Sequence, residues 1–236
     1  MERMDYGMPF LLKYENVAWY EDGKVRILDR RVYPAELRYV TCEDYHEVVR
    51  AIADMVTQSA GPYTAVGMGM ALAAHQVSGL EKERQHAFLR QAALDLGSAR
   101  PTAANRYGQI ARRALSLAEK ALETGQDPVA VIRTDTIESL NRRYSIMQTV
   151  GSTLAALIPE GGAILTQCFG ETIIGTLIRA AREQGKHFRV YCAETRPYLQ
   201  GARLTASCFA EMGFETTVLT DNMVAYAMQH EGIDLF

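Results

Sequence analysis

The C-terminal half of the chain alternates short apolar runs with segments of helical periodicity, and this alternation limits the fold more than any other feature. The apolar runs lie at 162–167, 188–192 and 217–220, and helical patterns such as 173–181 follow them. Strands and helices that alternate at this spacing require right-handed crossovers and form a parallel sheet. The sequence therefore predicts an α/β fold.

Polar side chains follow each predicted strand. Cys168 comes after the first strand, Glu194 and Arg196 after the second, and Asp221 after the third. The carboxyl ends of parallel strands meet at one edge of the sheet, where open α/β sheets bind ligands. A thiol and a carboxylate at that edge are a plausible acid/base pair. Each residue alone has an ordinary alternative: a buried structural cysteine, a Glu194–Arg196 ion pair, and a helix cap at Asp221.

The N-terminal half has a different character. Two strand-like runs, 14–20 and 24–28, flank an Asp-Gly pair and predict a β-hairpin. Helical patterns follow, interrupted by a turn-rich stretch at 57–64, and the join between domains is expected to begin at Asp127-Pro128. We therefore predict a hairpin and helical domain over 1–130 and a parallel-sheet domain over 131–236.

Arg100 directly precedes Pro101, a residue that suits the first position of a helix. An arginine beside the free backbone N–H groups of a helix N-terminus is suited to binding phosphate. The alternative is an ordinary surface arginine, and the local pattern alone favours that alternative.

The charge, the cysteines and the histidines argue against several classes of function, namely binding to nucleic acid, binding to anionic membranes and metal binding. The net charge of −3 gives no bulk electrostatic attraction to nucleic acid or anionic membranes. The four cysteines are scattered with no Cys-x-x-Cys pair, which indicates reduced thiols in a cytoplasmic protein. The five histidines have no metal-ligand spacing, so we expect no metal.

Four segments carry a resemblance to a known family: Val17 through Gln76, Arg100 through Asn105, Glu194 through Thr205, and Thr220 through Met223. They resemble methylthioribose-1-phosphate isomerases, and the last two segments are the most specific. The wider superfamily includes ribose-1,5-bisphosphate isomerase and the regulatory subunits of initiation factor 2B. The resemblance implies an N-terminal β-hairpin and helical domain followed by a Rossmann-like domain, usually in a homodimer.

The resemblance also implies roles for individual residues. Cys168 and Asp221 match the catalytic pair of an aldose-ketose isomerase. The substrate would be 5-methylthioribose 1-phosphate, as in methionine salvage, or a related 5-substituted ribose 1-phosphate, and no cofactor is required. The alternative is a non-catalytic regulatory or ligand-sensing subunit of the initiation-factor-2B type. Four positions match substrate-binding residues: Arg100, Gln200, Gly61 and Asn222.

Three departures from the family pattern qualify these expectations. The loop Gln58 through Tyr63 lacks the family's arginine, and Phe169-Gly170-Glu171 replaces the usual residues after the catalytic cysteine. The sequence also stops before the family's last phosphate-binding motif. We therefore expect a Rossmann-like domain that is incomplete at its C-terminus, completed by a second copy or another chain. We also expect residues 221–236 to be disordered or covered, and little isomerase activity from this chain alone.

Overall fold

The computed structural model describes residues 3–236 and divides the chain into two compact units. The helical unit comprises Tyr14–Val32 and Leu37–Leu140. The sheet unit comprises the N-terminal segment through Lys13, Tyr33–Glu36 and Asn141–Phe236. Along the chain the two units meet between Leu140 and Asn141, ten residues beyond the domain boundary that the sequence predicted between Ala130 and Val131. The predicted boundary stays a prediction.

The helical unit begins with an antiparallel sheet in the order β1-β2-β3, and helices follow it. Asp22 and Gly23 form the turn between β1 and β2, and both have positive φ (48° and 75°), as a two-residue hairpin turn requires. The predicted hairpin is confirmed. The elements are β1 (Trp19–Glu21), β2 (Lys24–Leu28), β3 (Tyr39–Cys42), α1 (Tyr45–Ala53), α2 (Gly61–Gln76), α3 (Lys82–Ser98), α4 (Ala104–Thr124) and α5 (Pro128–Leu157), the last of which continues into the sheet unit.

Two stretches that the sequence suggested as connections are helix starts. The predicted loop over 57–64 ends early, because α2 begins at Gly61 with Pro62 in its first turn. The predicted join at Asp127-Pro128 is the N-terminus of α5, where the Asp127 carboxylate accepts a hydrogen bond of 3.0 Å from the Val129 N–H. Proline suits the first turn of a helix because its fixed φ is already helical and its missing N–H has no partner there.

The sheet unit contains a parallel three-stranded sheet in the order β4-β5-β6. The α/β fold predicted from the alternating pattern, with a hairpin and helices before a parallel sheet, is confirmed. The remaining elements are β4 (Ala163–Gln167), α6 (Glu171–Glu183), β5 (Arg189–Ala193), α7 (Ala206–Glu211), β6 (Thr216–Leu219) and α8 (Val224–His230).

The C-terminal segment returns to the sheet on the other side of β4. Leu235 forms a parallel bridge with Ile164 and accepts a 2.9 Å hydrogen bond from the Leu165 N–H. The Asp234 carboxylate accepts a further bond of 2.9 Å from the Ala163 N–H. Residues 221–236 thus form α8 and a segment bonded to β4, so the structure does not show the disorder that was one of the two expectations, and a cover from a second copy or another chain stays a prediction.

This topology creates a switch point at the carboxyl end of β4. β5 and then β6 lie on one side of β4, whereas Leu235 lies on the other. The strand order therefore reverses at β4, and open α/β sheets bind ligands outside the carboxyl ends of the strands at such a point. Cys168 is the first residue after β4 and therefore lies at this point.

Apolar packing and one buried arginine hold the sheet unit together. Leu165, Tyr191 and Leu219, from the three strands, form a buried cluster with Ala227 of α8. Arg179 of α6 is buried, and its guanidinium donates a 2.7 Å hydrogen bond to the carbonyl of Met4. Within residues 3–236, no helix combines the length and apolar character needed to cross a membrane.

Candidate functional site

Cys168 is the one exposed thiol among the four cysteines. Its φ of +59° puts it in the left-handed region, where a residue other than glycine is uncommon. Burial raises the pKa of Cys42 to about 12 and that of Cys192 to about 11, so those thiols are inert at neutral pH. The alternative that Cys168 is a buried structural cysteine is wrong.

Asp221 also lies at the carboxyl edge of the sheet, two residues after the end of β6. Its carboxylate accepts hydrogen bonds of 2.8 Å from the backbone N–H groups of Arg196 and Thr195. These two bonds, with that from Arg196 the stronger effect, hold the pKa of the Asp221 carboxyl below its ordinary value. The carboxylate therefore bonds the turn after β5, and the alternative of a helix cap does not describe it.

Thr195 joins the two predicted catalytic residues. Its hydroxyl accepts a hydrogen bond of 2.8 Å from the Cys168 N–H. Its own N–H is one of the two donors to the Asp221 carboxylate. Residues that follow β4, β5 and β6 are thus connected at one sheet edge, as the predicted topology required.

Glu194 takes the ordinary alternative considered for it. Arg196 donates a 2.8 Å hydrogen bond from Nε to Oε1 of Glu194, and the Glu194 carboxylate is largely shielded from solvent. This ion pair occupies the Glu194 carboxylate. Of these two carboxylates, that of Asp221 is exposed, and it bonds the turn after β5 that also contacts Cys168 through Thr195.

Gln200 and Asn222 lie at the same edge. Gln200 is half-buried and precedes a π-helical turn, Gly201–Thr205, without capping that turn through its side chain. Asn222 is exposed, and its side-chain oxygen accepts a 2.7 Å hydrogen bond from the Thr220 hydroxyl. Of the six site residues predicted from sequence, the sheet unit therefore brings four to one edge: Cys168, Asp221, Gln200 and Asn222.

Arg100 belongs to the helical unit. It precedes a 3₁₀ turn, Pro101–Ala103, that runs directly into α4, so its predicted place at a helix start is confirmed. Burial raises the pKa of Tyr107, and the neighbouring Arg100 guanidinium partly opposes this rise. Arg100 is half-buried beside a tyrosine hydroxyl, which is a more constrained setting than a free surface arginine.

Gly61 lies at the start of α2 in the helical unit and is buried. A Cβ at this position would lie 2.1 Å from Oγ1 of Thr57 and 3.2 Å from the guanidinium of Arg30. Arg30 is itself buried and donates a 2.6 Å hydrogen bond to the carbonyl of Gln58. Gly61 thus allows the loop to pack against a buried arginine, and its substrate-binding role stays a prediction.

Sequence reasoning assigned no role to Thr195 or Thr205. The Thr205 hydroxyl donates a 2.5 Å hydrogen bond to the carbonyl of Cys168, the residue whose N–H bonds Thr195. Both threonines lie in the specific segment Glu194 through Thr205, but nothing in that segment predicts their contacts, which depend on the backbone angles of a distant turn. The signal available in the sequence is that both lie in the segment after β5, at the active edge of a parallel sheet.

Comparison with known proteins shows which family the chain belongs to. The family described as the initiation factor 2 subunit family matches residues 62–236. A methylthioribose-1-phosphate isomerase from Koribacter versatilis is 36% identical over 232 residues, which cover 92% of this chain and 63% of that protein. One from Desulforudis audaxviator is 37% identical and is covered over 64% of its length. The chain spans less than two thirds of the length of these relatives.

Solved structures give the same relationship. Subunit delta of translation initiation factor eIF-2B from A. fulgidus matches with a TM-score of 0.78 and 30% identity, over 93% of this chain and 66% of that chain. The 5-methylthioribose 1-phosphate isomerase of Pyrococcus horikoshii matches with a TM-score of 0.76 and 27% identity, over 99% of this chain and 67% of that chain. Sequence and structure agree, and the chain belongs to the initiation factor 2 subunit family.

Proposed function

We propose that the chain carries the catalytic edge of an aldose-ketose isomerase that acts on a 5-substituted ribose 1-phosphate such as 5-methylthioribose 1-phosphate. The observation that carries the proposal is the connection of an exposed thiol and an exposed carboxylate through Thr195 at the switch point of the sheet. Relatives at 36% and 37% identity that bear the name methylthioribose-1-phosphate isomerase support it.

The reaction needs one proton donor and one proton acceptor. When the ring of a sugar 1-phosphate opens with the phosphate retained on O1, the ring oxygen gains a proton. As C2 becomes a carbonyl, its hydroxyl loses a proton and its hydrogen moves to C1. Asp221 is suited to accept the hydroxyl proton because it is an exposed carboxylate that is ionised at neutral pH, as an aspartate ordinarily is. The Cys168 thiol is then the donor to the ring oxygen.

The hydrogen on C2 can reach C1 as a proton through an enediolate or directly as a hydride. Substrate deuterated at C2 distinguishes these routes. Exchange of the label with solvent indicates an enediolate and a protein base, whereas complete retention at C1 of the ketose favours direct transfer, because a base returns only part of the label.

We assign the phosphate and hydroxyl contacts to the four remaining positions predicted from sequence. Arg100 supplies a permanent positive charge, and a guanidinium can bind two phosphate oxygens at once. Gln200 and Asn222 supply amide groups at the sheet edge, and the fourth position is Gly61, at the start of α2 in the helical unit. The Arg100→Ala variant should weaken phosphate-ester binding far more than it lowers the melting temperature, and equal losses would mean that Arg100 is structural.

A panel of sugar 1-phosphates assayed for ketose formation tests the proposal. Cys168→Ser and Asp221→Asn should each lower turnover by at least about 100-fold, the usual worth of a general acid or base. Glu215→Gln is the matched control, because Glu215 is an exposed carboxylate just before β6, at the opposite end of that strand. Unchanged turnover in Cys168→Ser would overturn the assignment.

A second candidate is a regulatory or ligand-sensing subunit of the initiation-factor-2B type. The structural match to the A. fulgidus subunit, with a TM-score of 0.78, favours it. This candidate predicts the same fold and a dimer, without turnover of any sugar 1-phosphate. Ketose formation that depends on Cys168 would exclude it.

We also propose that the protein is cytoplasmic and self-associates. Four free cysteines support a reducing compartment. Ile146, Val150 and Leu157 of α5 are exposed apolar residues of the sheet unit, and their spacing puts them near one face of the helix. Sedimentation of the purified chain should give a dimer, and Ile146→Glu should give a monomer. A wild-type monomer over micromolar concentrations would refute self-association.

A further inference from the structure

Two threonine hydroxyls hold the peptide groups on either side of Cys168. The Cys168 N–H donates to Oγ1 of Thr195 at 2.8 Å. The Cys168 carbonyl accepts from Oγ1 of Thr205 at 2.5 Å. Both threonines belong to the segment after β5, so one segment of the chain fixes the turn that follows β4. We propose that Thr195 and Thr205 are positioning residues, which fix Cys168 through these bonds and thereby set the direction of its thiol.

The orientation of the Thr195 hydroxyl supports the first contact. Its hydrogen is directed to the carbonyl of Ala193 at 3.2 Å, which leaves an oxygen lone pair for the Cys168 N–H. A hydroxyl is the smallest side-chain group that can donate and accept in this way. Valine, which has nearly the same shape, would remove both interactions and leave the packing.

The backbone at these positions gives an independent reason. Thr195 has φ +63° and Cys168 has φ +59°. Left-handed conformations are costly for residues other than glycine and more so for β-branched ones, and they persist where the surroundings fix them. Glycine would be unstrained at position 195, yet the chain has a β-branched threonine there. The need for a hydroxyl that bonds the Cys168 N–H explains this choice.

A π-helical turn brings the second hydroxyl into place. Thr205 is fully buried and ends the turn Gly201–Thr205. Such turns are rare and are often found at functional sites. The turn starts against β5, because a Cβ on Gly201 would lie 1.8 Å from the carbonyl oxygen of Ala193. The strand edge thus sets the register that places Thr205 beside Cys168.

Thr195 has one further role that Thr205 lacks. Its backbone N–H donates to the Asp221 carboxylate, so the same residue fixes both members of the proposed donor and acceptor pair. A change in the Thr195 hydroxyl acts on Cys168 first. The backbone contact with Asp221 remains in any side-chain variant, which makes the hydroxyl separable from the carboxylate in an experiment.

The test uses the full chain with Thr195→Val, Thr205→Val and the serine variant of each. Thr216→Val is the matched control, because the Thr216 hydroxyl also bonds a backbone carbonyl, at 2.8 Å, but at the opposite end of β6. Hydrogen exchange at the Cys168 amide should accelerate about fivefold in Thr195→Val, as expected for one lost hydrogen bond. Thr195→Ser should restore protection, and Thr216→Val should leave it unchanged.

Turnover on a sugar 1-phosphate is the second measurement, and this part rests on the proposed function. Misplacing a reacting group by about 1 Å costs on the order of 100-fold in rate. We therefore expect each valine variant to lower kcat by about 10- to 100-fold with KM within about twofold. The double variant should lose less than the product of the single losses, because both hydroxyls act through one residue.

The two measurements separate the inference from the proposed function. If the wild-type chain neither turns over nor binds a sugar 1-phosphate, the proposed function fails, and amide exchange at Cys168 still decides whether the hydroxyls hold the turn. Wild-type protection of the Cys168 amide in Thr195→Val would overturn the inference. An unchanged kcat in both valine variants of an active enzyme would overturn it equally.

Discussion

Gly201→Ala should destabilise the sheet unit because the added methyl group would meet backbone atoms. A Cβ at Gly201 lies 1.8 Å from the carbonyl oxygen of Ala193, 2.9 Å from its carbonyl carbon and 3.1 Å from Oγ1 of Thr195. Ordinary contact between such atoms needs about 3.5 Å, so the two segments must separate by more than about 1.5 Å. Ala193 is the last residue of β5, which is paired on both sides, and it cannot retreat.

The magnitude follows from two opposing effects. Inserting a methyl group into a closely packed site costs up to about 3 kcal/mol when the surroundings cannot relax. Alanine is a better helix former than glycine by about 1 kcal/mol, which offsets part of this. A net loss of about 2 kcal/mol corresponds to a fall in melting temperature of about 4–8 °C for a chain of this size.

Calorimetry of Gly201→Ala against Gly79→Ala measures this effect. A Cβ at Gly79 meets nothing within 4 Å, and Gly79 has no positive φ, so its variant should change the stability by less than about 0.5 kcal/mol. Hydrogen exchange at the Cys168 amide should also accelerate in Gly201→Ala, because the displaced turn carries Thr205. A melting temperature within about 1 °C of the wild type would refute the steric argument.

Three further predictions follow from single contacts. Iodoacetamide at pH 8 should modify one thiol per native chain, that of Cys168, because the other three cysteines are buried. Rapid modification of a second cysteine, detected by mass spectrometry, would contradict this prediction. The pKa of Asp221 is lower in the folded than in the unfolded chain, so its ionised carboxylate stabilises the fold fully above the ordinary pKa of about 3.9. This stabilisation should be lost as the pH falls through the folded-state pKa. The free energy of unfolding of Asp221→Asn should lack this pH dependence. Lys186→Met should lower the free energy of unfolding in urea by about 1–2 kcal/mol. The Lys186 ammonium donates to the carbonyls of Ala155, Ala156 and Ile158 near the C-terminus of α5, and methionine cannot. An unchanged midpoint of unfolding would show that water replaces these bonds.

The fold was predictable where a regular pattern determines it. Alternation of apolar runs with helical periodicity predicted β4, β5 and β6 and their parallel pairing, because no other arrangement buries both faces of such strands. The start of α5 was missed because Asp-Pro is common both in linkers and at helix N-termini. The dipeptide itself does not distinguish the two, and in the structure the Asp127 carboxylate caps the helix.

The candidate site was predictable in its location and not in its hydrogen bonds. Topology alone puts residues that follow parallel strands at one edge, and this placed Cys168 and Asp221 together. The partners of each residue depend on torsion angles in three separate turns, which the sequence does not encode locally. Glu194 illustrates the limit, since the pattern left two roles open and the 2.8 Å bond with Arg196 decides between them.

The distribution of left-handed residues connects these turns with the chemistry. Among the described residues, six other than glycine have a positive φ, and three of them lie at this edge: Cys168, Thr195 and Leu199. Each such residue lowers the free energy of unfolding by about 1–3 kcal/mol, so the backbone at this edge of the sheet is strained. At Cys168 and Thr195 the side chain supplies a group that glycine lacks, a thiol and a hydroxyl. Leu199 has no polar side chain, but its N–H donates to the carbonyl of Thr195 at 2.7 Å and closes the turn that holds that hydroxyl. The left-handed conformation of Leu199 thus belongs to the turn that places Thr195, the residue proposed to fix Cys168.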